Sequence, residues 1–370
     1  MVAEHGIREL RLGLGLGLCR RRRWRRLVGG RCRQRIHRSS ALGKLIMATG
    51  MAPTPGIGVG TWAWGNQFLW NYDPQRDDAT LAATFRRCLE LEFRFFDTAD
   101  SYGTGRFNGR SETLLGQFAM AASEQERQRL CIATKLAPFP WRLGRRGYAR
   151  AFAASQARLQ GQLKRVQLHW STARYAPWQE GPLLEGLADL VQQGAVESLG
   201  LSNMGPRRLR EVCHKLGERG VAIASLQVQL SLLAPEAIAP GGVAETCREL
   251  GIALVAYSPL ALGLLAREPG TALPRGPRGA LFRRLGPRLE PLLNLMAEIG
   301  GHRPGGLAAV ALNWCRAHGA MPIPGLRSPA QVESTAAARG WTLTNEERRS
   351  LDQLALAPGP RMPANPFQSA

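Results

Sequence analysis

Residues 131–135 read Cys131-Ile-Ala-Thr-Lys135, a short and nearly continuous apolar run that ends on a lysine. A run of this length and character is the pattern of a strand buried on both faces, as in a parallel sheet. The same kind of run recurs on either side, at 57–61, 93–97, 165–169, 198–202, 225–229, 253–257 and 320–323. Between the runs lie longer amphipathic stretches that predict helices over 77–91, 111–122, 148–163, 182–193, 206–216, 242–250, 306–318, 329–339 and 344–354. Pro182, Pro206 and Pro329 sit where a first helical turn tolerates a missing N–H. Eight strands alternating with helices are the count of a (β/α)8 TIM barrel; a doubly wound sheet shares the alternation. Two features favour the barrel. No Gly-x-Gly-x-x-Gly lies between the first strand and the first helix, and the polar residues of interest recur at strand C-termini.

In a barrel those ends converge on one face, where active sites sit. The residues there are Asp97, Lys135, His169, Ser202 with Asn203, Gln227, and Tyr257 with Ser258; Tyr102 joins them from the loop after Asp97. A lysine ending a buried strand needs a counter-charge, and Asp97 is the obvious one. Each residue also has a plain structural reading: an Asp–Lys pair, a core histidine, a loop tyrosine. Their coincidence at one barrel end points instead to chemistry. An ammonium beside Tyr102 lowers the phenol's pKa, Asp97 holds the ammonium, and a histidine orients a substrate oxygen. That is a proton donor beside a carbonyl. No activated Ser or Cys nucleophile and no metal-ligand cluster is recognisable, so hydride is expected from a nicotinamide cofactor.

The ordered motifs Gly58-Val-Gly-Thr-Trp-Ala-Trp-Gly65, Phe96-Asp-Thr-Ala-Asp-Ser-Tyr-Gly103, Ala133-Thr-Lys135, Gln167-Leu-His-Trp170, Gly200-Leu-Ser-Asn203, Leu226-Gln-Val-Gln-Leu-Ser-Leu-Leu233, Ala256-Tyr-Ser-Pro-Leu-Ala261 and Ile323-Pro-Gly325 resemble those of the aldo-keto reductases over roughly residues 56–355, nearest the cyanobacterial and plastid, pyridoxal-reductase-like branch. The resemblance implies a catalytic tetrad of Asp97, Tyr102, Lys135 and His169, with Tyr102 as general acid. It implies that Ser202, Asn203 and Gln227 hold the nicotinamide carboxamide, that Tyr257 stacks on the ring, and that Ser258, Leu260 and Gly263 line the pyrophosphate. Arg327 and Ser328, with Gln331, would take the adenosine 2′-phosphate, hence NADPH. The family's Val-Asp-Leu-Tyr run is replaced by Leu163-Lys-Arg-Val-Gln167, and its late Glu-Asn pair by Ser334-Thr335. The expected activity is NADPH-dependent reduction of an aldehyde or ketone; the alternative is an NADPH-binding regulatory subunit with little turnover.

Trp62, Trp64 and Trp170 are candidates for an apolar substrate wall, and equally for core packing. The stretch 264–304 follows the seventh strand on the active-site side. Its Gly-, Pro- and Arg-rich tip, Pro274-Arg-Gly-Pro-Arg-Gly279, is expected to lack regular structure.

The 370 residues carry a net charge of +21, from 49 basic and 28 acidic side chains. Thirteen of the basic residues fall in 1–47 with two Glu. A basic extension ahead of a single domain at 48–370 is the expected organisation. The extension reads as a disordered arm, a transit peptide, or translated sequence ahead of a start at Met47 or Met51. The rest shows no aromatic-interleaved basic stripe or zinc spacing, so nucleic acid is not an expected partner. No run is long and apolar enough to span a membrane. Seven scattered cysteines fit reduced thiols and a cytoplasmic location. Oligomeric state is not legible.

Overall fold

The computed structural model describes residues 55–268 and 271–369. The basic segment 1–47 and both candidate starts lie outside the described residues.

Eight strands pair in sequence order, every pair parallel. They are β1 (Val59–Gly60), β2 (Phe95–Asp97), β3 (Cys131–Leu136), β4 (Leu163–Leu168), β5 (Ser198–Ser202), β6 (Ile223–Gln229), β7 (Ala253–Tyr257) and β8 (Ala320–Ile323). The cylinder closes where Gly58 N donates to Pro322 O (3.0 Å), Gly60 N donates to Pro324 O (2.9 Å), and Gly60 bridges Gly325. Gly60 has to be glycine, because a Cβ there would lie 2.9 Å from the Ile323 carbonyl oxygen. The (β/α)8 barrel expected from the alternation is the observed fold.

Strand period two explains the sequence of β4, which reads as oddly charged. Val166 and Leu168, on one face, are fully buried apolar residues. Arg165 and Gln167, on the other, meet polar partners from neighbouring strands. Arg165 Nε donates to Ser198 Oγ (3.0 Å) and its Nη1 to Ser225 Oγ (3.1 Å). The Arg165 charge on β4 is therefore met by hydroxyls from β5 and β6.

The helix expected over 77–91 starts earlier, at Pro74, where Asp73 is the cap and Asp77 lies in the first turn. Ser123 and Thr344 each make a reciprocal capping box, with Glu126 and Glu347. Two further expectations need correction. Pro182 lies inside the helix Pro177–Gln192, which starts five residues earlier on Pro177. And the segment after β7 is not an irregular tip: it contains the helices Pro277–Leu285 and Glu290–Gly300, which bury Phe282, Leu285, Leu292 and Met296. The Gly/Pro signals there mark the start of a helix, with Gly276 at its N-cap and Pro277 in its first turn. No helix among the described residues is long and apolar enough to cross a membrane.

Candidate active site

At the C-terminal end of the barrel, β2 delivers Asp97 and β3 delivers Lys135, both almost wholly buried. Lys135 Nζ donates to Asp97 Oδ2 (2.5 Å) and to the Thr98 carbonyl (2.8 Å). The other carboxylate oxygen, Asp97 Oδ1, accepts from Gln167 Nε2 (2.9 Å) and Gln227 Nε2 (2.7 Å). The ammonium lies 4.7 Å from the centre of the Tyr102 ring, and the Tyr102 and His169 rings meet edge-on at 5.9 Å. The four residues expected to act together are in fact brought together.

Their electrostatics depart from expectation at one residue. The Lys135 ammonium does act to lower the Tyr102 pKa, yet burial acts harder and the phenol stays above its usual value. Desolvation of the phenolate outweighs the pull of the ammonium. Burial also pulls on Lys135, but Asp97 and Tyr102 hold it charged, above the ordinary lysine value. His169 is pushed well below the usual imidazole range by burial, with Lys135 and Arg142 adding to the effect. Its Nδ1 is buried without a partner. At neutral pH the site thus holds a protonated phenol, an ammonium and a neutral imidazole.

A cavity of about 870 Å³ opens over this quartet. Ser202, Asn203, Gln227, Tyr257, Ser258, Leu260, Gly263, Arg327 and Gln331 all line it. Backbone strain gathers on the same rim: Asn203 (φ 57°), Ser258 (52°), Ala261 (48°) and Leu262 (59°) are left-handed without being glycine. Ser328 is adjacent but works as a helix cap for Pro329–Ala337, its Oγ accepting from Gln331 N. Trp62 and Trp170 line the cavity. Trp64 does not. It is fully buried, its Nε1 donates to the Leu326 carbonyl (2.9 Å), and its ring packs on Phe118, so it belongs to the core.

Other wall residues escaped sequence reasoning. Trp70 meets Trp62 edge-on at 4.8 Å. Arg267 and Arg278 come from the segment after β7; Arg278 Nη2 donates to the Leu262 carbonyl (2.9 Å). Asn365 and Phe367 come from the C-terminal tail, with Phe367 stacked on Trp170 at 4.5 Å. The tail carries no periodicity or motif that could have placed it. Among the described residues no cluster of ligands could hold a metal ion.

The family model for the aldo/keto reductase family matches residues 56–356. The chain belongs to the aldo-keto reductases. Family membership makes it an oxidoreductase acting on carbonyl compounds. A chloroplastic pyridoxal reductase of Arabidopsis thaliana is 45% identical over 319 residues, 85% of this chain and 86% of the relative. A 6-dehydroglucose reductase of Novosphingobium aromaticivorans is 30% identical over 293 residues, 76% of this chain and 87% of that one. Among solved structures, an aldo-keto reductase from Klebsiella pneumoniae in complex with NADPH superposes with a TM-score of 0.62 at 24% identity, over 84% of this chain and 94% of that one. This structural likeness supports the shared fold.

Proposed function

We propose that the protein reduces an aldehyde with NADPH, that Tyr102 is the proton donor, and that the substrate is a flat aromatic aldehyde of the pyridoxal type. The observation that carries this is the buried Asp97–Lys135 pair beside Tyr102, beneath a cavity walled by Trp62, Trp70, Trp170 and Phe367. The 45% identical pyridoxal reductase supports the substrate class. The NADPH named for the Klebsiella neighbour supports the cofactor.

The residues present fit a dinucleotide. Arg267 and Arg278 each keep a buried Nε without a partner on the cavity wall, and burial lowers the Arg278 pKa, with Arg327 adding to the effect. Such cations favour phosphate. Asp97 is an acceptor only, so the Gln227 amide must turn its Nε2 to it; this leaves Oε1 to accept from a carboxamide. Asn203 and Tyr257 flank that position, their side chains bonded to each other at 3.0 Å. When bound, the dihydronicotinamide supplies hydride. Tyr102, held protonated by burial, gives its proton to the carbonyl oxygen. Lys135 stabilises the phenolate left behind, and neutral His169 orients the oxygen by hydrogen bonding. The aromatic walls exclude water and present flat surfaces to a flat substrate.

The five cysteines among the described residues are free thiols, which supports a reducing compartment such as the cytoplasm. The test is NADPH oxidation with a carbonyl panel that includes pyridoxal, beside a Tyr102→Phe control. Turnover that collapses in the control is expected. Tight NADPH binding without turnover would favour the regulatory-subunit reading instead.

A further inference from the structure

Gln167 is buried in the barrel and forms no part of the cavity wall. Its Nε2 lies 2.9 Å from Asp97 Oδ1, and its Oε1 has no partner. The register pairs Lys135 with Gln167 across β3 and β4, and Gln167 with Gly200 across β4 and β5. Gly200 makes room for it: a Cβ there would lie 3.0 Å from Gln167 Cγ, 3.1 Å from Oε1 and 2.8 Å from Ser225 Oγ. The side chain is thus confined by its neighbours and committed to one carboxylate, at the cost of an orphaned acceptor. A buried amide oxygen without a partner is unfavourable, so core packing alone gives no reason for a glutamine at this position.

We propose that Gln167 is a positioning residue that sets the proton affinity of Tyr102 through Asp97. The inference rests on the reading of Tyr102 as proton donor. Asp97 acts to raise the Tyr102 pKa and Lys135 to lower it. The N–H dipole of Gln167, beside that of Gln227, offsets part of the Asp97 charge and leaves more of the Lys135 charge uncompensated at the phenol. It also occupies Oδ1, so that Oδ2 alone faces the ammonium. Without Gln167 the carboxylate field at Tyr102 strengthens, the phenol binds its proton more tightly, and it becomes a weaker acid.

The experiment uses the full chain with Gln167→Met, which keeps the volume and removes the donor, and Gln167→Glu, which keeps a donor only while protonated. The pH profile of kcat/KM for NADPH-dependent carbonyl reduction is measured beside the NADPH Kd. Gln167→Met is expected to move the basic limb up by about one pH unit and to lower kcat, with Kd unchanged. Gln167→Glu is expected to add a further limb, as two carboxylates in contact share one proton. A Gln167→Met profile that superimposes on the wild type, or a loss in kcat matched by an equal rise in Kd, overturns the proposal. A wild type that reduces no carbonyl compound defeats the proposed function instead. In that case tyrosinate absorbance, with Tyr102→Phe subtracted, still reads the phenol: an upward shift in Gln167→Met supports the inference and no shift overturns it.

Discussion

The side-chain amide of Asn365 donates to the hydroxyl of Tyr257, 2.7 Å away and 108 residues earlier in the chain. The same nitrogen donates to Asn203 Oδ1 (3.0 Å). The tail that carries it is pinned on both sides: Met362 N donates to Leu233 O (2.9 Å), and Ser369 N donates to Asn203 O (3.1 Å). A carboxamide from the chain itself therefore rests on Asn203, proposed to hold the nicotinamide carboxamide, and on Tyr257, proposed to stack on the ring. NADPH bound through those residues would compete with it. Asn365→Ala is expected to tighten NADPH binding about fivefold, the worth of one net hydrogen bond, in a fluorescence titration. Weaker binding would place Asn365 among the groups that hold the cofactor. Phe367→Ala, which removes a wall of the cavity, is expected to raise KM for an aromatic aldehyde more than for a small aliphatic one.

Tyr102→Phe removes the proposed proton donor and leaves its ring in place. Its kcat is expected to fall by about 10²–10⁴ with NADPH affinity little changed. Lys135→Met should be comparably damaging, and it also leaves Asp97 as a buried, uncompensated charge. It is therefore expected to lower the unfolding free energy by about 3–5 kcal/mol, measured by urea titration.

The buried, neutral imidazole of His169 ties stability to pH. Its folded-state pKa lies below its unfolded value, so between the two the unfolded chain binds more protons. The contribution is complete above about pH 6.5 and is lost as the pH falls from there toward the folded pKa. His169→Gln is expected to flatten the decline of Tm below pH 6.5. An unchanged slope would mean that this imidazole charges as readily in the folded protein as in the unfolded chain.

Thiol reactivity should follow burial. Cys88 and Cys247 are pushed up to about 12, and half-buried Cys213 to about 11. Burial raises Cys315 as well. Iodoacetamide at pH 8 is expected to label Cys213 and Cys131 ahead of Cys88, Cys247 and Cys315, as read by peptide mass spectrometry. Prompt labelling of Cys315 in the folded state would contradict its burial.

Glu180, fully buried, holds the loop that follows His169. It accepts from Thr172 N (2.6 Å), Ala173 N (3.1 Å) and Arg208 Nε (2.6 Å). Glu180→Ala leaves these donors facing an apolar gap. It is expected to cost about 3–5 kcal/mol of stability and to raise substrate KM through displacement of Trp170. A variant with wild-type Tm would show that solvent replaces the carboxylate.

The barrel was legible because buried parallel strands have a local signature. Apolar runs such as Cys131–Leu136 alternate with capped amphipathic helices, and the repeat alone gives both count and order. Asp97, Lys135 and His169 were legible for the same reason, since a polar residue ending such a run stands out; Tyr102, in the loop after Asp97, stood out only through the motif around it. The charge on β4 was not. Whether Arg165 and Gln167 face water or the barrel interior depends on partners contributed by β2, β5 and β6.

The chain's own order of residues thus determined the strand sequence and which polar side chains stand at the strand ends proposed to carry the chemistry. Each of these follows from neighbours close in sequence. Tertiary structure decided what depends on distant segments meeting. It sent Trp64 to the core and Trp62 to the cavity, although both lie in one short loop. It folded the segment after β7 into helices and brought Arg278 to the cavity wall. It laid Asn365 on Tyr257 and gave Asp97 its two amide donors. It also raised the Tyr102 pKa, because the desolvation of a phenol is a property of everything packed around it and leaves no mark on the residues beside it in the chain.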